Sequence, residues 1–145
     1  LHSSHVIPAI IRKCVDAIDN EDKSITCWGN GKPTREFLYA PDAADAIVQA
    51  TLHYDNPEPI NIGSGVEISI KDLTNLIAEL CGFKGKIKWD TTKPNGQPRR
   101  CLDTKQAKKQ FGWVARTKFK DGLTETIKWY KDNKYDIIKN EKDAI

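Results

Sequence analysis

Two short stretches of this 145-residue chain carry residue types that can do chemistry together. They are "WGNGKPTR", Trp28 to Arg35, and the loop "KPNGQPRR", Lys93 to Arg100. Arg35 offers a planar guanidinium fork, which suits a phosphate through bidentate charge-assisted hydrogen bonds. Trp28 either presents an indole face and N–H to a sugar or base, or fills a core. In the second stretch Arg99 and Arg100 stand near Asn95, two charges beside a short polar hydrogen-bonder. Bland readings compete with each: an arginine after a turn is commonly a surface residue, and a Pro/Gly-rich loop also serves merely to join a strand to a helix. The loop's place after a strand favours a working role, because ligands of open α/β sheets collect at the carboxyl ends of strands.

Other chemistry is thin. "NIGSG", Asn61 to Gly65, is a tight glycine turn without the G-x-G-x-x-G spacing of a phosphate loop. His5 precedes a helix beside Ser3 and Ser4, while His2 and His53 have no partner in view; a lone histidine is more often structural or exposed than catalytic. The sequence has no Ser-His-Asp order, no paired carboxylates and no H-E-x-x-H. Cys14, Cys27, Cys81 and Cys101 form no C-x-x-C pair and have no neighbouring His to complete a zinc site, so reduced thiols of a cytoplasmic protein are expected.

The elements that must position these residues follow from periodicity. Ile7, Ile10, Ile11, Val15 and Ile18 share one face of a helix over Ile7–Asp19, with Pro8 tolerated in its first turn. "SITCW" alternates as a strand ending at Gly29-Asn30-Gly31, and a second strand is expected over Glu36–Tyr39. Pro41 and Asp42 open an alanine-rich helix to about His53, and a strand is expected at Ile60–Ile62. Ser69 and Asp72 approximate a capping box and Gly82 closes the helix they start, with Leu73, Leu76, Ile77 and Leu80 facing inward. "KIKWD" is a strand whose outer face carries the alternating Lys86 and Lys88. Helices are also expected over Thr104–Gln110, closed by Gly112, and from Lys118 to about Asp132 after a Thr117 cap. Strands alternating with helices give an α/β or α+β class with a small mixed sheet.

Composition excludes some functions. The chain is 39% hydrophobic and 30% charged, and no apolar run approaches the ~20 residues that span a bilayer. The net charge of +3 conceals a basic block: residues 84–120 hold 12 basic and 2 acidic groups. Such a block faces an anion or is a solvated surface. The opening residues carry no signal-peptide pattern, and with no Met anywhere the chain is expected to be a piece of a longer one.

The segments "SSHVIPAIIRK", "WGNGKPTREFLYAPDAADAI" and "INIGSGVEISIKDLTNLIAELCGFKGKIKWDTTKPNGQPRRCLDTKQAKKQFGW", in that order, resemble the C-terminal half of the GDP-L-fucose synthases. These are extended short-chain dehydrogenase/reductases of the NAD-dependent epimerase/dehydratase family. The resemblance runs from Ser3 to about Asn133. "SHVIPA" and "KPNGQPRRCLD" are its most specific pieces, whereas "REFLY" and "INIGSG" are shared by other reductases acting on nucleotide sugars.

The resemblance implies a substrate-binding part over residues 1–133 and a charged tail over 134–145, expected to fray. It implies an enzyme that epimerises GDP-4-keto-6-deoxy-D-mannose at C3 and C5 and reduces C4 with NADPH. Lys13, Trp28, Arg35, Asn95 and Arg100 would line the GDP-sugar pocket, and His5 would stand near the nicotinamide end of NADPH. Asn95 stands where the family often has Asp, and Pro41 replaces a usual acidic residue. The Gly-rich dinucleotide loop and the Ser/Tyr-x-x-x-Lys catalytic set lie upstream in the family and are not expected here, so these residues alone should be inactive. A homo-oligomer, a dimer at full length, is implied, with neither nucleic acid nor membrane as partner.

Two alternatives stay open: the substrate half of another nucleotide-sugar epimerase or dehydratase, and a basic nucleic-acid-binding module. The second is weakened because Trp89, Phe111 and Trp113 read as core anchors rather than a stacking platform. Without a dinucleotide-binding sheet beside them, Ile47, Val48, Ile60 and Ile62 are expected to form an exposed apolar patch.

Overall fold

Residues 5–143 are described by the structure, a computed structural model. Ser3, Ser4 and His2, considered above beside His5, lie outside them. Helix α1 (Val6–Asp19) buries Ile10, Ile11, Cys14, Val15 and Ala17. Strand β1 (Ser24–Trp28) follows and buries Ile25 and Cys27. Strand β2 is Thr34–Glu36, helix α2 Ala40–His53 and strand β3 Glu67–Ser69. Helix α3 (Ile70–Cys81), strand β4 (Lys86–Asp90) and the two-residue strand β5 (Arg99–Arg100) precede helices α4 (Lys105–Phe111) and α5 (Phe119–Asp143).

The sheet is not one but two. Strands β1 and β4 pair in parallel, with Trp28 opposite Asp90 at their shared carboxyl end. The order β3-β2-β5 makes the other sheet, β2 running antiparallel to β3 and parallel to β5. The main core lies where α1, α3 and α5 meet β1, around Ile11, Leu73 and Ile77. Each large aliphatic side chain buried there contributes about 1.5–3 kcal/mol.

Local signals hold. Ser69 Oγ accepts the Asp72 N–H at 3.0 Å, and Gly82 closes α3 in the left-handed conformation at φ 82°. The buried face of α3 takes Leu73 and Ile77 as expected, together with Thr74, Ala78 and Cys81; Leu76 and Leu80 sit half-buried at its edge. Thr74 avoids an unsatisfied hydroxyl by donating to the Ile70 carbonyl at 2.6 Å. Lys84, Lys86 and Lys88 are exposed, as an outer face requires.

Four expectations are corrected, each by a long-range contact. The strand placed at Glu36–Tyr39 lies at Thr34–Glu36, because pairing is set by β3 and β5; Phe37 leaves the sheet and stacks on Phe119 at 6.0 Å. Ile60–Ile62 has no ladder partner among the described residues and packs, half-buried, toward Ala46, Ala107 and Trp113. The last helix starts at Phe119 and runs past Asp132 to Asp143, so residues 134–143 are helical. Lys134 holds it to α1, donating to Asp16 Oδ1 at 2.8 Å and Asp19 Oδ2 at 2.6 Å. Thr117 does not cap that helix; its N–H and hydroxyl donate to Asp42 of α2, at 3.0 and 2.9 Å.

Helix α2 is therefore covered on one side only. Its Asp45 accepts the Trp113 indole N–H at 2.9 Å and Ala46 is fully buried, whereas Ile47, Val48 and Leu52 are exposed. The anticipated patch exists, with Leu52 added and the half-buried Ile60 and Ile62 removed.

Candidate functional site

The parallel pair β1–β4 ends at Trp28 and Asp90, and both stretches singled out from the sequence lie beyond that end. Gly29 N–H donates to the Asp90 carbonyl at 2.8 Å, and the Asp90 carboxylate accepts from Thr92 N–H at 3.1 Å and the Thr92 hydroxyl at 2.6 Å. Those two bonds hold the Asp90 carboxyl below its usual range. They also bend the chain into the loop that carries Asn95. Asn95 Oδ1 accepts the Asn30 N–H at 2.8 Å, which locks the loop onto the Gly29–Gly31 turn. Gly29 has φ 78°, and any side chain there would collide with the Asn95 carboxamide.

Around this turn lies a cleft of about 610 Å³. His5, Trp28, Arg35, Asn95 and Arg100 all line it, so five of the six residues singled out from sequence come together. Lys13 does not line it: Nζ donates to the Thr26 carbonyl at 2.7 Å and ties α1 to β1. Trp28 is 63% exposed, which removes its core-packing reading, and the Lys93 ammonium sits 5.8 Å from its ring centroid.

Arg35 and Arg100 are ladder partners across β2 and β5 and so project from one face of the sheet. Like charges placed directly opposite destabilise a sheet unless a counter-charge joins them. Arg35 Nη1 donates to its neighbour's carbonyl, Thr34 O, at 2.7 Å, which steadies the fork; the Arg100 guanidinium makes no hydrogen bond or ion pair among the described residues. On the other face Arg99 takes both oxygens of Glu67, through Nε at 2.9 and 3.0 Å and through Nη2. That pairing, with the Thr34 hydroxyl, holds the Glu67 carboxyl low. Of the two adjacent arginines, only Arg100 lines the cleft.

One residue of the cleft was missed from sequence. Burial pushes the half-buried Glu36 carboxyl up, but hydrogen bonds from the backbone of Leu102 and Gly65, with Cys101 and Ser64, outweigh burial and keep it below its usual value. The only sequence signal was its adjacency to Arg35. The spacing Tyr-x-x-x-Lys does occur, at Tyr130–Lys134 and Tyr135–Lys139, contrary to expectation; both pairs lie on α5, Tyr130 and Lys134 do not line the cleft, and Lys134 is committed to Asp16 and Asp19 of α1. Hydrogen bonding with Cys81 and burial push the Cys14 thiol up, so it serves as core. Among the described residues no cluster could hold a metal ion and no helix is long and apolar enough to cross a membrane. A second cavity of the same volume, between the start of α2, β3 and α5, sets Asp42 and Glu67 against the cation Lys118 among mostly apolar walls and does not suit an anion. What the first cleft can do is recognise an anion carrying a stackable group.

The chain resembles the NAD-dependent epimerase/dehydratase family in sequence and in its mixed α/β fold. The sequence profile of that family matches residues 1–63. Within it, the chain is 42% identical over 131 residues to GDP-L-fucose synthase 1 of Arabidopsis thaliana, covering 90% of this chain and 40% of that protein. It is 43% identical over 133 residues to GDP-L-fucose synthase of Sinorhizobium fredii, covering 92% and 42%. Among solved structures, GDP-L-fucose synthetase from Naegleria fowleri bound to NADP superposes with a TM-score of 0.85 at 29% identity, covering 91% of this chain and 41% of that one. The chain thus spans about two fifths of the length of the relatives it matches.

Proposed function

We propose that this chain is the substrate-side part of a GDP-L-fucose synthase, holding GDP-4-keto-6-deoxy-D-mannose for NADPH-dependent epimerisation at C3 and C5 and reduction at C4. The observation that carries the reading is the ladder pairing of Arg35 with Arg100 in a cleft that also holds Trp28 and Asn95. The two guanidiniums would take the diphosphate, with a charge-assisted hydrogen bond each. The exposed Trp28 ring would border the base or sugar. Asn95, whose oxygen is committed to Asn30, would offer its amide N–H groups. Lys13 is left out of this set, since its ammonium is engaged with Thr26.

The cofactor supplies the hydride when bound. His5 is exposed at the rim and does not by itself enclose a dinucleotide, so no step is assigned to NADPH from these residues. Catalytic groups would come from the remainder of a full-length protein, and the uncovered stripe Ile47, Val48 and Leu52 on α2 is where that remainder would pack. Dimerisation of the full-length protein belongs to the same proposal. Calorimetric titration with GDP, UDP and dTDP tests the reading: GDP should bind most tightly, and tighter binding of UDP or dTDP would assign the cleft to another nucleotide-sugar enzyme.

A further inference from the structure

We infer that Glu36 is the positioning residue of the cleft: its carboxylate clamps the Gly63–Gly65 turn and the Cys101–Leu102 segment onto β2, and so keeps Arg100 abreast of Arg35. The inference deepens the diphosphate reading above and rests on it.

Its two oxygens take different backbone donors. Oε1 accepts the Gly65 N–H at 2.7 Å and Oε2 accepts the Leu102 N–H at 2.7 Å, from segments 29 and 66 residues away in sequence. The Ser64 hydroxyl lies 3.5 Å from Oε1, and Ser64 Oγ in turn accepts the Val66 N–H at 3.3 Å. Gly63 runs so close that a side chain there would collide with the Glu36 carboxylate. Neither Gly65 nor Leu102 belongs to a strand or helix, so these donors have no regular ladder to turn to.

The clamp matters because β5 cannot hold itself. It has two residues, Arg99 and Arg100, and its ladder with β2 stops at Arg35–Arg100. Before it, Thr34 N–H donates to the Pro98 carbonyl at 3.0 Å; after it, Leu102 is fixed by Glu36. Arg100 therefore sits between two anchors on the same strand, and Glu36 is the one nearer the cleft. A carboxylate is required: two N–H groups approach two oxygens, whereas a glutamine would turn its own N–H₂ toward one of them.

The test is a double-mutant cycle on GDP affinity, read by calorimetry at a temperature where circular dichroism shows each variant folded. Glu36→Gln should weaken GDP binding about tenfold and speed amide exchange at Gly65 and Leu102, the loss expected when a charged acceptor goes. Arg100→Ala should cost more than about tenfold in the wild type but less than about threefold in the Glu36→Gln background, because the two residues act as one unit. A merely structural Glu36 would lower the melting temperature and leave the full Arg100→Ala effect in both backgrounds, which would overturn the inference. If Glu36→Gln does not fold, the cycle is read on Glu36→Asp, whose shorter side chain cannot span both donors; an undiminished Arg100→Ala effect in that background also overturns it. A wild type that does not bind GDP overturns the pocket reading and this inference together, whereas a wild type that binds and a Glu36→Gln that binds equally well overturns this inference alone.

Discussion

The two faces of the β3-β2-β5 sheet differ in how their charges are matched. On one face Thr34, Glu67 and Arg99 form a closed set, with Arg99 gripping both carboxylate oxygens of Glu67 and the Thr34 hydroxyl donating to Oε2 at 2.8 Å. On the other, Arg35 and Arg100 stand opposite each other with no carboxylate paired to either among the described residues. Adjacent arginines in one sequence thus have opposite fates, decided by the alternation of a strand two residues long. A satisfied face stabilises the sheet; the unsatisfied one leaves a place for an anion.

The largest expected effect breaks the open face. Arg35→Ala and Arg100→Ala should each weaken GDP binding by roughly 1.5–3 kcal/mol, the range for a lost charge-assisted hydrogen bond. Unchanged affinity in both variants would remove them from the site.

A middle-sized effect lies away from either face and shows what a paired cation does when no ligand is involved. Lys134→Ala should destabilise the fold by about 1 kcal/mol in chemical denaturation, a value kept low because Asp16 and Asp19 are partly exposed. Burial pulls the Lys134 ammonium down, but its hydrogen bonds to Asp16 and Asp19 prevail and raise it to about 12. A raised pKa gives stability that is fully present below the ordinary lysine value of 10.5 and is lost as pH climbs through about 12. Wild type and Lys134→Ala should therefore converge in stability over that alkaline window; a constant gap would contradict the assignment.

The smallest effect on binding sharpens the comparison. Arg99→Ala should lower the melting temperature while leaving GDP affinity nearly unchanged, because Arg99 belongs to the closed face. A loss equal to that of Arg100→Ala would mean that the two faces are not distinct.

What could be read from the sequence was whatever is settled within a few residues. The Ser69 cap, the Gly82 stop and the exposed Lys86–Lys88 alternation depend on neighbours, and all appear in the fold. So does the loop from Lys93, whose prolines deny regular structure up to Pro98, although its last two residues, Arg99 and Arg100, pair with β2 as β5; its Asn95 and Arg100 reach the cleft. What escaped depends on partners far along the chain. The position of β2 is set by β3 and β5, some thirty and sixty residues later, and the apolar look of "FLY" pointed to the wrong three residues. Lys13 was placed in the pocket by resemblance, yet its ammonium meets a backbone carbonyl that no sequence pattern marks. Glu36 was passed over because its acceptor role is written in the N–H groups of Gly65 and Leu102, which every sequence has.

The central claim is that Arg35 and Arg100 together hold a diphosphate, and phosphorus NMR addresses it without an intermediary. On titrating the protein into GDP, both the α- and β-phosphorus resonances should shift and broaden in the wild type and stay at their free positions with the Arg35→Ala/Arg100→Ala double variant. If the guanine protons respond while both phosphorus signals remain unperturbed in the wild type, or if the double variant shifts them as the wild type does, the open face of the sheet is not the anion site.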